Sequence, residues 1–315
     1  MSKLDFLPTV NLKEVRNIGE REVLIDGFVV KRSINLLWAP AGTGKTEFMF
    51  GVSNALVKQN QEVAYMDVDN GLDLIMDRGY DNMIEKTDDK FKYINADMFD
   101  EPREGIMGII DKIKENAKDR VYDNCVFVFD SLKFFLDGDM YDERRINRFL
   151  SFCKAIRRCG GIVWILNHAT KKGDTMKGGQ GLIDAADECW QMSVLTEDNN
   201  NYSYIIEPEK YRMGNKIKKV GFSMDKKTYI LTPLDVEIAS MSENEKDFIE
   251  VVTNALKEKE LTQGELMKLL GKDRADKTVL DMLKKHDGSF WDSKKQGKKR
   301  VYTNVTNEQT NEQTA

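Results

Sequence analysis

The sequence predicts an α/β protein. It reads as a mostly parallel sheet with an antiparallel extension, followed by a small C-terminal module of three helices and a hairpin. Three observations predict it. Short apolar runs alternate with helical periodicities as far as Asp187. Beyond Asp187 the helices stop and short strands follow one another across turn-like separators. From residue 245 amphipathic helices return, and a basic stretch containing Gly297 closes the module. Strand–helix alternation implies crossover connections and a parallel sheet covered on both faces.

The elements follow in order. Residues 34–39 are a short apolar run ending at a Gly-rich turn. Residues 46–57 place Phe48, Met49, Val52 and Leu56 at helical spacing. Residues 63–68 read as a second buried strand, followed by a helix over 72–84. A weaker strand at 92–95 precedes helical periodicity at 106–113. Residues 126–129 form a strongly apolar strand ended by Asp130, and a helix at 146–156 leads to a strand at 162–166. Four strands at 190–195, 202–207, 217–223 and 228–231 read as antiparallel additions.

This core is predicted to span 20–234, after an N-terminal segment 1–19 and before a linker 235–244. A helix over 245–259 presents Phe248, Val251, Val252 and Leu256 on one face. Thr262-Gln263-Gly264-Glu265 has capping-box spacing, so a helix should start at Gln263 and stop at Gly271. A further helix over 273–285 turns Ala275, Val279 and Leu283 inward. Phe290 and Trp291, a basic turn over 293–300, and Val301 and Tyr302 complete the order of a winged helix, assigned to 245–303. The tail 304–315 repeats Thr-Asn-Glu-Gln and is predicted to be disordered.

Composition narrows the function. A length of 315 residues suits one large or two ordinary domains, and 41% hydrophobic content supports a core. No apolar run approaches the ~20 residues of a membrane helix. The first ten residues lack a signal-peptide pattern, so a cytoplasmic location with no membrane partner is expected. Four cysteines without a CxxC pair read as reduced thiols, and two histidines leave few ligands for zinc. Charge is uneven: residues 272–300 carry a net +5 in a chain of −5. An acidic body with a basic C-terminal module suggests two tasks in two domains.

Ala39-Pro40-Ala41-Gly42-Thr43-Gly44-Lys45-Thr46 follows a strand and opens a helix, the context of a P-loop. Inward backbone N–H groups at Ala41, Gly42, Thr43 and Gly44 would cradle phosphates. Lys45 would reach the β- and γ-phosphates of ATP, and the Thr46 hydroxyl would bind Mg2+. Ala39 replaces the usual first glycine, which negative φ would tolerate. Val126-Phe127-Val128-Phe129-Asp130 delivers a carboxylate at a strand end, where Asp130 would hold the same Mg2+.

With these motifs the chain resembles the RecA-like ATPases, in particular the DnaB-like and plasmid RepA-like hexameric replicative helicases, over residues 20–234. The resemblance implies a catalytic acid that ends the second strand, the one after the P-loop helix. Asp69 takes that position where the family usually has Glu, and Asp67 is the competing candidate. It implies a γ-phosphate sensor at His168, with Asn167 as the alternative. It implies that the loop 171–181, with Lys171, Lys172 and Lys177, grips single-stranded DNA in a central channel. Glu209-Lys210-Tyr211-Arg212-Met213-Gly214 is similar to the family's Lys-x-Arg-x-Gly segment, so Lys210 and Arg212 would reach a neighbour's γ-phosphate. The site would then be completed between subunits of a homo-oligomer, a hexamer in that family.

The sequence therefore leads to an ATP-dependent helicase or translocase in replication of a plasmid, phage or mobile element. A separate primase or replication initiator would be a partner. The alternative is a non-unwinding RecA-superfamily ATPase, either a recombination mediator or a regulatory switch. In the C-terminal module Lys272, Arg274, Lys277, Lys284 and Lys285, with the wing residues Lys294, Lys295, Lys298, Lys299 and Arg300, are the candidate DNA contacts, to double-stranded as well as single-stranded DNA.

Overall fold

A computed structural model describes residues 8–13, 16, 21–87, 89–136, 140–212, 219–297 and 299–305. The chain divides into two units, Met1–Val236 and Glu237–Ala315. Among the described residues no helix is long and apolar enough to cross a membrane.

In the first unit β1 (Val23–Ile25) and β2 (Val29–Val30) pair with each other. The main sheet begins with β3 (Ile34–Ala39), buried at every position, which feeds α1 (Lys45–Lys58). Next come β4 (Glu62–Asp67), α2 (Asp73–Asp77), α3 (Tyr80–Glu85) and β5 (Phe91–Asn95). Then follow α4 (Pro102–Asn116), β6 (Cys125–Asp130), α5 (Leu132–Phe135), α6 (Glu143–Arg158) and β7 (Ile162–His168). The unit continues through α7 (Gln180–Ala185), β8 (Glu188–Glu197), β9 (Asn201–Tyr211), β10 (Val220–Asp225) and β11 (Leu231–Leu234). The nine strands are ordered β11-β10-β9-β8-β3-β7-β6-β4-β5.

Both faces of the sheet are covered, which explains the continuous apolar runs. Ile34, Leu36 and Trp38 enter one core with Phe127 and Phe129. Leu37 and Ala39 enter the other with Val126, Val128 and the α1 residues Phe48, Met49 and Val52. The two-residue side-chain period divides each strand between the cores.

Several expected elements differ. The helix expected over 72–84 is broken by Gly79, whose φ of 68° lies in the left-handed region. Only β9, β10 and β11 are antiparallel additions, because β8 pairs parallel with β3. The last strand starts at Leu231, later than expected. The Asp225 carboxylate accepts the Lys227 and Thr228 N–H groups at 3.0 and 2.7 Å and holds those residues in a turn. Residues 217 and 218 of the expected third strand lie outside the described residues.

After α8 (Val236–Ala239), the second unit contains α9 (Glu243–Glu258), β12 (Leu261–Thr262), α10 (Gln263–Leu269), α11 (Lys277–Lys285), β13 (Trp291–Gln296) and β14 (Lys299–Asn304). Its sheet order is β12-β14-β13. Thr262 and Glu265 form the capping box that starts α10. Ile249, Val252, Leu256, Leu266, Leu283 and Trp291 make the core. Val251, expected on the inner face of α9, is 45% exposed, and Ile249 is buried in its place. Ala275 is not inward either, since Asp276 caps α11 through the Val279 N–H and the helix starts after it. The basic stretch expected as a turn forms the hairpin strands themselves, in register from Trp291 opposite Asn304 to Gln296 opposite Lys299. The tail residues 306–315 and much of the N-terminal segment lie outside the described residues.

Candidate active site

The parallel strands end level with one another. Ala39 pairs with His168 on β7, and Asp67 pairs with Asp130 on β6. Because β7 lies between β3 and β6, His168 is delivered between the loop after Ala39 and Asp130. Ala39 belongs to the extended β3, so the missing glycine brings no strain. Gly42 and Gly44 carry the positive φ values, 76° and 78°. A Cβ on Gly42 would meet nothing within 4 Å, whereas one on Gly44 would stand 2.8 Å from the Tyr204 hydroxyl. Thr43 closes the loop by donating its hydroxyl to the Pro40 carbonyl at 2.7 Å.

The Lys45 ammonium lies 3.2 and 3.1 Å from the Ala39 and Pro40 carbonyls and 3.4 Å from His168 Nδ1. Burial lowers its pKa, and the carboxylates of Asp130, Glu47 and Asp69 oppose that. The Thr46 hydroxyl donates to Asp130 Oδ2 at 2.7 Å, and the Tyr65 hydroxyl donates to the same oxygen at 2.8 Å. Burial, with Asp67 nearby, pushes the Asp130 carboxyl up to about 7. A hydroxyl beside a carboxylate under an open glycine turn is the hard-oxygen donor set that Mg2+ takes with a nucleotide's phosphates. The residues therefore fit Mg2+ and ATP.

The two candidate acids separate by surroundings. Asp67 is fully buried, and its oxygens accept from the Asp69 and Asn70 N–H groups, the Asn70 amide and the Tyr93 hydroxyl at 2.8–3.1 Å. Asp69 lies two residues beyond the end of β4, not on the strand as expected. Its side chain is 47% exposed, with Oδ2 accepting from the Ser131 hydroxyl at 2.6 Å and lying 3.7 Å from His168 Nε2. His168 and Ser131 hold the Asp69 carboxyl below its ordinary range. Asn167 is buried and donates to the Lys177 carbonyl, so its amide is committed to the loop.

Lys210 and Arg212 are not brought to this end. β9 runs antiparallel to β8 and pairs Tyr211 with Glu188, which is level with Asn35 at the start of β3. From Asn35 to Ala39 is four residue steps, roughly 13 Å at the usual strand rise. At the far end Lys210 Nζ donates to the Ile183 and Asp184 carbonyls at 2.6 Å each. Arg212 donates to Asp184 O at 2.8 Å and lies 3.8 Å from Asp187, which also receives two bonds from Arg157. Gly214 of the expected segment lies outside the described residues.

The candidate DNA loop is shorter and tighter than expected, because α7 begins at Gln180. Thr170 N–H donates to Thr175 O at 2.7 Å, Ala169 bridges Met176, and Lys177 N–H donates to His168 O. Lys171 and Lys172 are exposed, and Lys177 is half-buried. In the second unit Lys284, Lys294, Lys299 and Arg300 are exposed, while Lys298 lies outside the described residues. Lys294 stands opposite Val301 and Lys295 opposite Arg300, so the hairpin cations divide between two faces.

Sequence reading missed Tyr65, Ser131, Tyr204 and Glu209. Tyr65 could have been found, since a polar group two residues before Asp67 shares its face. Glu209 accepts from Trp38 Nε1 at 2.7 Å, a contact between strands distant in the chain, and from the Cys189 thiol of the neighbouring β8 at 3.3 Å.

A family model described as an AAA domain matches residues 2–174. No curated protein matches. Similar solved structures include the flagellar accessory protein FlaH from Methanocaldococcus jannaschii, at 16% identity over 68% of this chain and 94% of that chain, with a TM-score of 0.46. A KaiC-like protein from Pyrococcus horikoshii OT3 shares 19% identity over 67% of this chain and 94% of that one, with a TM-score of 0.46.

Proposed function

This chain belongs to the AAA domain family, and from that premise we propose that it is a RecA-like, Mg2+-dependent ATPase that works as a ring on DNA. The activity we assign is ATP-driven translocation or unwinding, in replication of a plasmid, phage or mobile element. One observation carries the reading. Lys45, Thr46, Asp69, Asp130 and His168 converge at one end of the sheet, and Lys210 and Arg212 stand at the other. A basic pair that far from its own cradle suits the cradle of a second copy.

Lys45 would exchange its two carbonyl partners for β- and γ-phosphate oxygens. Thr46 and Asp130 would hold Mg2+. Bound there, the ion would offset charge developing on the transferred phosphoryl group. Asp69 would accept a hydrogen bond from the attacking water, with Ser131 and His168 setting its orientation. His168 touches both Lys45 and Asp69, so it would sense the γ-phosphate and pass that state to the Lys177 backbone. Lys171, Lys172 and Lys177 would follow single-strand phosphates. The three helices and hairpin of the second unit support a winged-helix reading, with duplex DNA as its ligand.

The test is ATPase rate with and without single-stranded DNA, alongside mass determination with nucleotide bound. Lys45→Ala should abolish hydrolysis. Arg212→Ala should bind nucleotide without turning it over, and mixing it with Lys45→Ala subunits should restore part of the rate. A monomer with full activity, or no rescue on mixing, refutes the shared site. Hydrolysis that depends on DNA without strand displacement from a forked duplex would favour the non-unwinding alternative.

A further inference from the structure

We propose that the cleft between α10 and the start of β14 seats the phosphodiester backbone of duplex DNA, held by Lys268, Arg274, Lys299 and Arg300. This rests on the DNA-binding reading of the second unit and locates its main contact. The cleft has a volume of about 440 Å³. Its position follows from the register. Thr262 on β12 pairs with Val301 on β14, so Lys299 and Arg300 lie next to the point where α10 begins. From the other side comes Arg274, whose Nε would lie 3.7 Å from a Cβ built on Gly264. The guanidinium thus lies along the first turn of α10 at van der Waals distance.

The charge in this cleft is unbalanced. Its one lining acid, Glu265, accepts from the Thr262 N–H at 2.8 Å and the Thr262 hydroxyl at 2.6 Å. At the far end of α11 the situation is reversed. Glu245 binds both Lys285, at 2.7 Å, and His286, at 2.8 Å. Of the basic residues in 272–300, Arg274, Lys299 and Arg300 line the cleft, and Lys268 of α10 joins them.

The chemistry selects phosphate over protein. A protein partner usually anchors an apolar side chain in a desolvated pocket. The apolar lining residue here, Met267, is fully buried and offers no such contact. Four cations on flexible stems instead suit regularly spaced single negative charges, which they would position against without reading bases.

The experiment measures binding of the full-length protein to a labelled duplex across a salt series. The variants are wild type, Lys268→Ala/Arg274→Ala, Arg274→Lys and, as a control on α9, Lys257→Ala. Each phosphate contact contributes about 0.9 to the slope of log K against log salt. The double variant should therefore lose about 1.8 of that slope, while Arg274→Lys and Lys257→Ala keep the wild-type value. Hydrogen-exchange protection of the segments around the fully buried Trp291 checks that the unit stays folded. An unchanged slope and affinity in the folded double variant overturns the cleft but leaves DNA binding standing. Absence of duplex binding by wild type at low salt overturns the DNA reading and the cleft together. Loss of binding to poly-glutamate with unchanged duplex binding would assign the cleft to an acidic protein and overturn the inference.

Discussion

Glu188→Gln should stabilise the first unit, and the gain should depend on pH. Glu188 opens β8 and is fully buried, and neither carboxylate oxygen has a hydrogen bond of full geometry among the described residues, the Trp190 indole N–H and the Arg21 charge compensating it only in part. Its cross-strand neighbour Asn35 also has a buried Oδ1 without a partner among the described residues. Burial, with Asp187 beside it, pushes the Glu188 carboxyl up to about 7 from an ordinary 4.5. A displacement of that size corresponds to an order of 3 kcal/mol. The sign follows from proton linkage. Between the unfolded and folded values the native state binds more protons, so raising the pH through this window destabilises it. Below the unfolded value both states are protonated and there is no penalty. Above about 7 the whole penalty is present. Gln cannot ionise. Urea unfolding followed by Trp fluorescence reports this unit, which contains Trp38, Trp164 and Trp190. The variant should exceed wild type by little at about pH 4 and by an order of 3 kcal/mol at about pH 8. A difference that stays constant with pH would refute the reasoning.

Three further outcomes are expected. Gly44→Ala should weaken nucleotide binding by about tenfold or more, since a left-handed alanine costs about 1–2 kcal/mol and its Cβ would stand 2.8 Å from the Tyr204 hydroxyl; titration with a fluorescent ATP analogue reads this, and Tyr204→Phe in the same chain should recover part of the loss. Asp69→Asn should fold normally and lose hydrolysis, whereas Asp67→Asn should cost about 1–3 kcal/mol of stability by disturbing a buried acceptor. Paired melting and ATPase curves separate the two, and the opposite pattern would reverse their roles. Trp291→Ala should unfold the second unit by about 3–5 kcal/mol, because the ring is fully buried and its Nε1 donates to Leu283 O at 3.0 Å; hydrogen exchange should show the loss confined to that unit.

Local chemistry was legible in the sequence where one segment carries all its own information. The strand, Gly-rich turn and helix around Lys45 depend on neighbours in the chain, as does the capping box at Thr262. Elements failed where a side chain redirected its own backbone. Asp225 and Asp276 did this by accepting nearby N–H groups, which moved the starts of β11 and α11. The apolar run of β8 could not declare its direction, since a buried strand reads alike in parallel and antiparallel pairing.

From the sequence alone came the strand, Gly-rich turn and helix proposed as a phosphate cradle, the carboxylate that ends an apolar strand, and the contrast between an acidic body and a basic C-terminal stretch. These are properties of short segments and of charge count. Only the tertiary structure could distinguish the surroundings of Asp67 and Asp69, because burial and the bonds from Tyr93 and Ser131 arrive from other strands. Only the register of β9 against β8 could place Lys210 and Arg212 at the opposite end of the sheet from Lys45. Strand pairing sets distance and direction between residues far apart in the chain, and no local pattern encodes it.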